Sequence, residues 1–171
     1  SVVLVDDGSG EACHPVFKSC EEYAEVLCHK KNAGKGTALK TGLSQIQKQY
    51  GEDSIVVTLD ADGQHRVEDA VAVCRSAEKN PGCLILGSRR LEKNVPPRSQ
   101  FGNAVTRVLY RISTGRKIYD TQTGLRAFDC SLLPVLLAIP GERYEYEMNV
   151  LLFCAREGIQ TIEQEIATIY M

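Results

Sequence analysis

The stretch Ile55-Val-Val-Thr-Leu-Asp60-Ala-Asp62-Gly-Gln64-His65 constrains this chain more than any other. Five aliphatic or β-branched residues, Ile55 to Leu59, run directly into two carboxylates one residue apart. An apolar run of that length, closed by turn residues, predicts a strand buried on both faces of a parallel sheet. Open α/β sheets place ligand sites outside the carboxyl ends of their strands, where Asp60 and Asp62 fall. Side-chain direction has a period of two, so both carboxylates can be aimed to one side. Two hard oxygen donors there suit Mg²⁺ or Mn²⁺, ions that usually share their coordination with phosphates. An Asp-x-Asp also caps turns and helices, and on this stretch alone both readings stand. A calcium loop does not fit, because EF-hand spacing wants Gly sixth and Glu twelfth, where this chain has His65 and Val71.

The totals exclude several classes. A chain of 171 residues fits one domain and can bury roughly 70% of its unfolded surface. Hydrophobic content of 43% and charged content of 25% are ordinary for a globular protein. A net charge of −2 gives no general case for nucleic acid as a partner. Seven cysteines without a Cys-x-x-Cys, several of them inside apolar segments (Cys74, Cys83, Cys154), predict buried, reduced thiols and a cytosolic setting. Cys13, His14, Cys20, Cys28 and His29 match no zinc spacing. No segment approaches the ~18 to 20 apolar residues of a membrane span. The chain opens and closes in strand-like sequence, which predicts cuts within a longer protein.

Taken in order, Val2 to Val5 reads as a short buried strand ending in Asp6-Asp7-Gly8-Ser9-Gly10. Residues 15 to 23 read as helix and Glu25 to His29 as strand. Gly34-Lys35-Gly36 opens a helix with Leu39, Leu43 and Ile46 on one face. Glycines just before a helix leave backbone N–H groups to meet an anion. The P-loop pattern fails here, since Gly36 follows Lys35 where Ser or Thr is required. A helix over Val67 to Glu78, a strand over Cys83 to Leu86 and a loop over 91 to 101 follow. Next come a helix over Gly102 to Ile112, a turn-rich element over Asp120 to Ala127 and a short helix over Ser131 to Ala138. A helix over Glu145 to Glu157 and a strand over Gln164 to Tyr170 complete the chain. This alternation predicts an α/β fold with a mostly parallel sheet, one domain over 1–171.

Six blocks then carry a resemblance. They are Val5-Asp6-Asp7-Gly8-Ser9, Asn32-Ala-Gly34-Lys-Gly36-Thr-Ala38, Leu59-Asp60-Ala-Asp62-Gly-Gln64-His65, Gly87-Ser88-Arg89, Asp120-Thr-Gln-Thr-Gly124-Leu-Arg126-Ala127 and Tyr144-Glu-Tyr-Glu147. In this order, over nearly the whole chain, they resemble family 2 glycosyltransferases, and within them the polyprenyl-phosphate branch that includes dolichyl-phosphate mannose synthases. The resemblance implies a GT-A fold, a nucleotide-diphosphate-sugar donor, Mg²⁺ or Mn²⁺ and a polyprenyl-phosphate acceptor. It implies that Asp7 contacts the nucleoside, with Asp6 and Gly8 shaping that pocket. Lys35, Gly36, Asp60 and Ala61 join the same donor set. Asp60, Asp62 and Gln64 would hold the metal, and Arg89 and Arg98 would face the acceptor phosphate. Arg126 would lie on the sugar or acceptor side, and catalysis would fall to Asp60, Asp62 and Arg89. Each has a structural alternative. Arg89 and Arg98 could be solvated charges, Arg126 a partner of Asp120 or Asp129, and Glu147 a brace for its helix.

The chemistry suits these residues. An ionised phosphate acceptor needs no strong general base, whereas a sugar hydroxyl usually does. The Tyr-Glu-Tyr-Glu block stands where many sugar-acceptor relatives carry a Glu-Asp pair. One departure is plain: the family's first strand, with its Pro-x-Tyr-Asn-Glu type turn, has no counterpart. That predicts weakened donor binding, an uncovered apolar flank and a fragment of weak or no activity. Membrane contact is expected through segments outside this chain, at the cytoplasmic face. A transferase acting on glycans and a non-catalytic nucleotide-sugar-binding module are the rival readings.

Overall fold

The computed structural model describes residues 1–51, 53–89, 107–108, 110–115 and 117–167. Their contacts divide into two compact units, Ser1–Gly51 with Leu133–Asn149, and Glu52–Leu132 with Val150–Met171.

In the first unit, β1 (Val3–Asp6) lies parallel to β2 (Glu25–Cys28), with Val3 opposite Glu25 and Asp6 opposite Cys28. The crossover between them holds α1 (His14–Cys20), which starts with a proline in its first turn, where the missing N–H costs nothing. It ends at Cys20, short of the predicted residue 23. The longer α2 (Lys35–Gln49) packs on β1 and buries Leu43. A short α4 (Leu133–Ala138) packs on α2.

The second unit holds β3 (Ile55–Thr58), α3 (Val67–Lys79), β4 (Leu84–Arg89), β5 (Arg126–Asp129) and β6 (Thr161–Ile166), in the sheet order β3-β5-β4-β6. Glu68 and Asp69 in the first turn of α3 and Lys79 in its last suit the helix dipole. The helix lays Val73 and Ala77 onto Ile85, Leu125, Ala127 and Ile166, and these buried side chains form the core. Full burial of the valine, leucine and isoleucine side chains among them contributes roughly 1.5–3 kcal/mol each. Residues 107–108 and 110–114 are helical, two residues past the predicted end at Ile112. The last helix, α5 (Glu145–Arg156), starts among residues of the first unit and ends among those of the second.

The α/β class is borne out, and three local expectations need correction. β3 is not buried on both faces: only Val56 is fully buried, and its one neighbour among the described strands is antiparallel β5. The turn-rich element continues into β5, which pairs antiparallel with both β3 and β4. The last strand begins at Thr161 and ends at Ile166, paired parallel with β4 from Leu84↔Thr161 to Arg89↔Ile166. The 91–101 loop, with Arg98, lies outside the described residues. All seven cysteines are free thiols, with Cys130 and Cys154 buried and Cys28 exposed.

Candidate active site

Two acidic turns carry the candidate residues, one in each unit. In the first unit, β1 delivers Asp6 and Asp7 to a turn through Gly8, whose φ of 74° is the left-handed region that favours glycine. A Cβ there would also run into the backbone of Lys31 and Asn32, so the turn presses against the loop before α2. Asp6 is buried and accepts the Ser9 N–H at 2.8 Å. Hydrogen bonds from Ser9 hold its carboxyl below the ordinary value.

Asp7 turns into its own unit. It accepts the Ala33 N–H at 2.9 Å and the Gly34 N–H at 2.8 Å, and His29 Nδ1 lies 2.7 Å away. Burial alone would raise this carboxyl, but the bonds from Ala33, His29 and Gly34 outweigh it and hold it below its ordinary value. The anion that meets the glycine turn is therefore Asp7 itself, just before the positive end of α2. Next in line, Lys35 forms an ion pair with Glu147 at 2.8 Å. Gly36 is needed for close approach, since a Cβ would overlap the Tyr146 Cβ and the Arg143 carbonyl. The Thr37 N–H is taken by the Glu142 carbonyl at 2.9 Å. Glu147 thus braces across to α2 through Lys35, more than its own helix alone.

In the second unit the chain leaves β3 through Leu59 into Asp60, half-buried, and then Ala61, Asp62 and Gln64, all exposed. Asp62 Oδ1 accepts the Gln64 N–H at 3.0 Å, which closes the turn that the structural alternative described. Asp60 lies over Gly124, and a methyl group on Gly124 would overlap its carboxylate. His65 Nδ1 is buried with no hydrogen-bond partner among the described residues.

Behind this turn, β4 ends in Arg89, whose Nε donates to Asp120 Oδ2 at 2.7 Å. Its Nη2 donates to Asp120 Oδ1 at 3.4 Å, so the guanidinium forks over a carboxylate that is 1% exposed. Arg89 is not a solvated charge. Asp120 also accepts the Gln122 N–H, while its own N–H and that of Tyr119 donate to Glu163 on β6. Arg126 sits within β5, 4% exposed, and its Nε donates to the Thr123 carbonyl at 3.1 Å.

These donors fit a divalent ion of one kind. Asp60 and Asp62 are hard oxygen groups at the turn, and no cluster of three or more His, Cys, Asp or Glu side chains is set for a metal among the described residues. An ion held there would keep open positions for phosphate oxygens or water, which is how Mg²⁺ is usually bound.

The sequence profile described as "Glycosyl transferase family 2" matches residues 1–136. The chain belongs to that family. It is 30% identical over 190 residues to the UDP-N-acetylglucosamine–dolichyl-phosphate N-acetylglucosaminyltransferase of Methanococcus voltae, covering 99% of this chain and 75% of that protein. It is 26% identical to the dolichyl-phosphate beta-glucosyltransferase of Saccharomyces cerevisiae, over 97% of this chain and 56% of that protein. Among solved structures, glucosyl-3-phosphoglycerate synthase from Mycobacterium tuberculosis with Mn²⁺, UDP-glucose and phosphoglyceric acid superposes with a TM-score of 0.69 at 17% identity, over 99% of this chain and 60% of that one. Mannosyl-3-phosphoglycerate synthase from Rubrobacter xylanophilus gives 0.68 at 20%, over 100% of this chain and 57% of that one. These neighbours establish the GT-A fold. Among the described residues, no helix of this family 2 glycosyltransferase is long and apolar enough to cross a membrane.

Sequence reasoning missed four features of the site. His29 and Asp120 have no motif of their own, although Asp120 opens a block that carried the resemblance. The contact of Gly124 with Asp60 joins two blocks remote in sequence. Glu163 lies in a strand whose start was placed too late.

Proposed function

We propose that this domain moves a sugar from a nucleotide-diphosphate sugar to a polyprenyl-phosphate acceptor, with inversion and with a divalent metal. The observation that carries the reading is that relatives matching almost the whole chain are named for dolichyl phosphate. Further relatives, 24% and 26% identical over 80% of this chain, are named for undecaprenyl phosphate.

Asp6, Asp7, Gly8, Lys35, Gly36 and Ala61 are assigned to the donor, and Asp60, Asp62 and Gln64 to the metal. When bound, the ion supplies Lewis-acid neutralisation of the charge that develops on the leaving diphosphate. Arg89, Arg98 and Arg126 are assigned to the acceptor phosphate, which a planar guanidinium can bind through two bonds at once. The ionised phosphate oxygen forms the new bond to the anomeric carbon as the bond to the diphosphate breaks, so one displacement inverts that centre. No side chain needs to take a proton. Catalysis at the cytoplasmic face of the membrane fits a lipid acceptor and a soluble donor.

The test has two stages. A thermal-shift panel of UDP, GDP and CDP, with and without Mn²⁺, is run on this chain and on Asp62→Ala. A ligand at ~100-fold its Kd should add about 2.7 kcal/mol of stability, and only when metal and Asp62 are both present. An acceptor screen then compares polyprenyl phosphates, 3-phosphoglycerate and free glycans. Transfer to polyprenyl phosphate supports the reading, and transfer only to one of the others overturns it.

A further inference from the structure

His29 follows the last residue of β2 and meets Asp7, the candidate nucleoside contact, within the same unit. Its ring is held at both nitrogens: Nδ1 lies 2.7 Å from Asp7 Oδ1, and Nε2 lies 3.0 Å from Thr41 Oγ1 on α2. A hydroxyl has one proton to give, and Thr41 gives it to the Thr37 carbonyl one turn back, at 3.0 Å. Towards His29 it therefore offers an oxygen lone pair, and Nε2 must donate. An ionised carboxylate accepts and cannot donate, so Nδ1 must donate as well. A neutral imidazole has one N–H, and only the imidazolium satisfies both contacts at once. The side chains of His29 and Asp7 are 17% and 18% exposed, so salt and water screen the pair little. Asp7 accepts Ala33 and His29 on Oδ1 but, among the described residues, Gly34 alone on Oδ2. The second lone pair of Oδ2 is what this carboxylate has to offer a nucleoside.

We propose that His29 is a positioning residue for the donor: as an imidazolium it fixes the Asp7 carboxylate for the nucleoside, and donor affinity follows its proton. This rests on the nucleotide-sugar reading above, in which Asp7 touches the donor. The N–H groups of Ala33 and Gly34 belong to the backbone and support Asp7 at every pH, whereas the support from His29 titrates. Loss of its proton leaves the ring a single N–H. If that N–H stays on Nδ1, Thr41 must turn its hydroxyl from Thr37 to Nε2, and the bond to Asp7 loses its charge assistance. If it stays on Nε2, a ring lone pair faces the carboxylate. In both cases Asp7 is held more weakly. The neighbouring charges have other work. Asp6 gives His29 its main-chain carbonyl at 2.8 Å and keeps its carboxylate on Ser9. On α2, Lys35 pairs with Glu147 and Lys40 lies over the Tyr146 ring. Glu25, at the far end of β2, is taken by Gln45 and Gln49. Lys30 and Lys31 beside the ring, and His14 and Lys18 on α1, are exposed.

Nucleotide affinity as a function of pH tests this, with UDP, GDP and CDP as probes in the presence of Mn²⁺. The range runs from about pH 5.5 to about 8.5, across ordinary histidine titration, where Asp7 remains ionised. His29→Asn keeps an N–H donor in the place of Nδ1 and has no proton to lose. At low pH it should bind within about twofold of the parent. Relative to His29→Asn, the Kd of the parent should rise about threefold with pH, as a charge-assisted bond gives way to a neutral one. Ionisation of the diphosphate itself is common to both proteins and cancels in this ratio. The midpoint of the rise should coincide with that of the His29 ring followed by ¹⁵N NMR. His29→Leu removes the donor and should bind about tenfold more weakly than His29→Asn at every pH, the loss of one hydrogen bond to a charged group. A His29 that only supports the fold would lower Tm in both variants and leave parent and His29→Asn with one pH profile. The proposal is overturned by that shared profile, by a midpoint that departs from the ring's, or by His29→Leu binding as the parent does. Failure of the donor reading looks different: no nucleotide binds any of the three proteins at any pH, and this inference falls with it.

Discussion

Replacing Arg89 with Met keeps most of the aliphatic stem and removes the charge from above a buried carboxylate. The Asp120 side chain is 2% exposed and that of Arg89 29%. Breaking a fully buried ion pair by removing one partner costs about 3–5 kcal/mol, whereas exposed pairs contribute about 0.2–1. The open side of Arg89 and the N–H that Gln122 still offers move the expectation below the buried range, to about 2–3 kcal/mol. For a chain of this length that is a Tm drop of roughly 4–12 °C. Asp120→Asn made on top of Arg89→Met removes the stranded charge, so the double variant should recover about 1 kcal/mol relative to Arg89→Met. Urea unfolding of the parent, both single variants and the double variant reads the cycle directly. If Arg89→Met falls within about 0.5 kcal/mol of the parent, Arg89 behaves as a surface charge and the argument fails. A double variant less stable than Arg89→Met would refute the stranded-carboxylate step in particular.

Two further outcomes follow from the acidic turns. Gly124→Ala places a methyl group where the Asp60 carboxylate lies, and a rotatable side chain can swing aside at small cost in stability. Tm should therefore change little while the metal-linked nucleotide shift is lost; an unchanged shift would separate Gly124 from the metal site. Asp7 has a lowered pKa in the folded chain, so it contributes stability above its unfolded value of about 3.9 that is lost as pH falls through the folded value. Asp7→Asn should lower stability near neutral pH and flatten the loss of stability on acidification, measured by urea unfolding at stepped pH values. A parallel slope in both proteins would show that Asp7 is not held by Ala33, His29 and Gly34.

The sequence was most legible where one stretch dictates its own conformation. The apolar run before Asp60, the helix from Lys35 and the α3 segment all announce themselves by local periodicity, and each forms where expected. What failed was pairing. Isoleucine and valine in β3 say that burial is tolerated, but its neighbour is decided by β5, which lies far along the chain. β5 itself hid behind Asp120-Thr-Gln-Thr-Gly124, because turn residues dominate the window and the strand is short. At the site, residue types were legible and partners were not. Arg89 could have been a surface charge on composition alone, and only the fold brings Asp120 beneath it. Gly36 was read for its N–H group, yet its closest neighbours are the backbone near Glu142 and the Tyr146 side chain.

The two acidic turns therefore do different physical work despite similar sequences. A carboxylate that holds a fold gives its lone pairs to N–H groups of its own unit, and Asp6 and Asp7 do so through Ser9, Ala33 and Gly34. Such bonds stabilise the charged form without a cation, and Asp6 and Asp7 both have lowered pKa values. Asp62 is exposed and gives one oxygen to the Gln64 N–H, in a turn whose side chains remain within reach of solvent. A divalent ion exchanges water for oxygen ligands most readily in such a place, and its remaining positions can go to a diphosphate. The glycine turn ahead of α2 offers N–H groups that could meet an anion, although it fails the P-loop pattern, and at residues 33 and 34 those groups already have an anion in Asp7. This is the physical reason to assign the diphosphate to the Asp60 turn, and to expect Asp62→Ala to cost ligand binding with little change in stability, whereas Asp7→Asn costs stability as well as its contact with the donor.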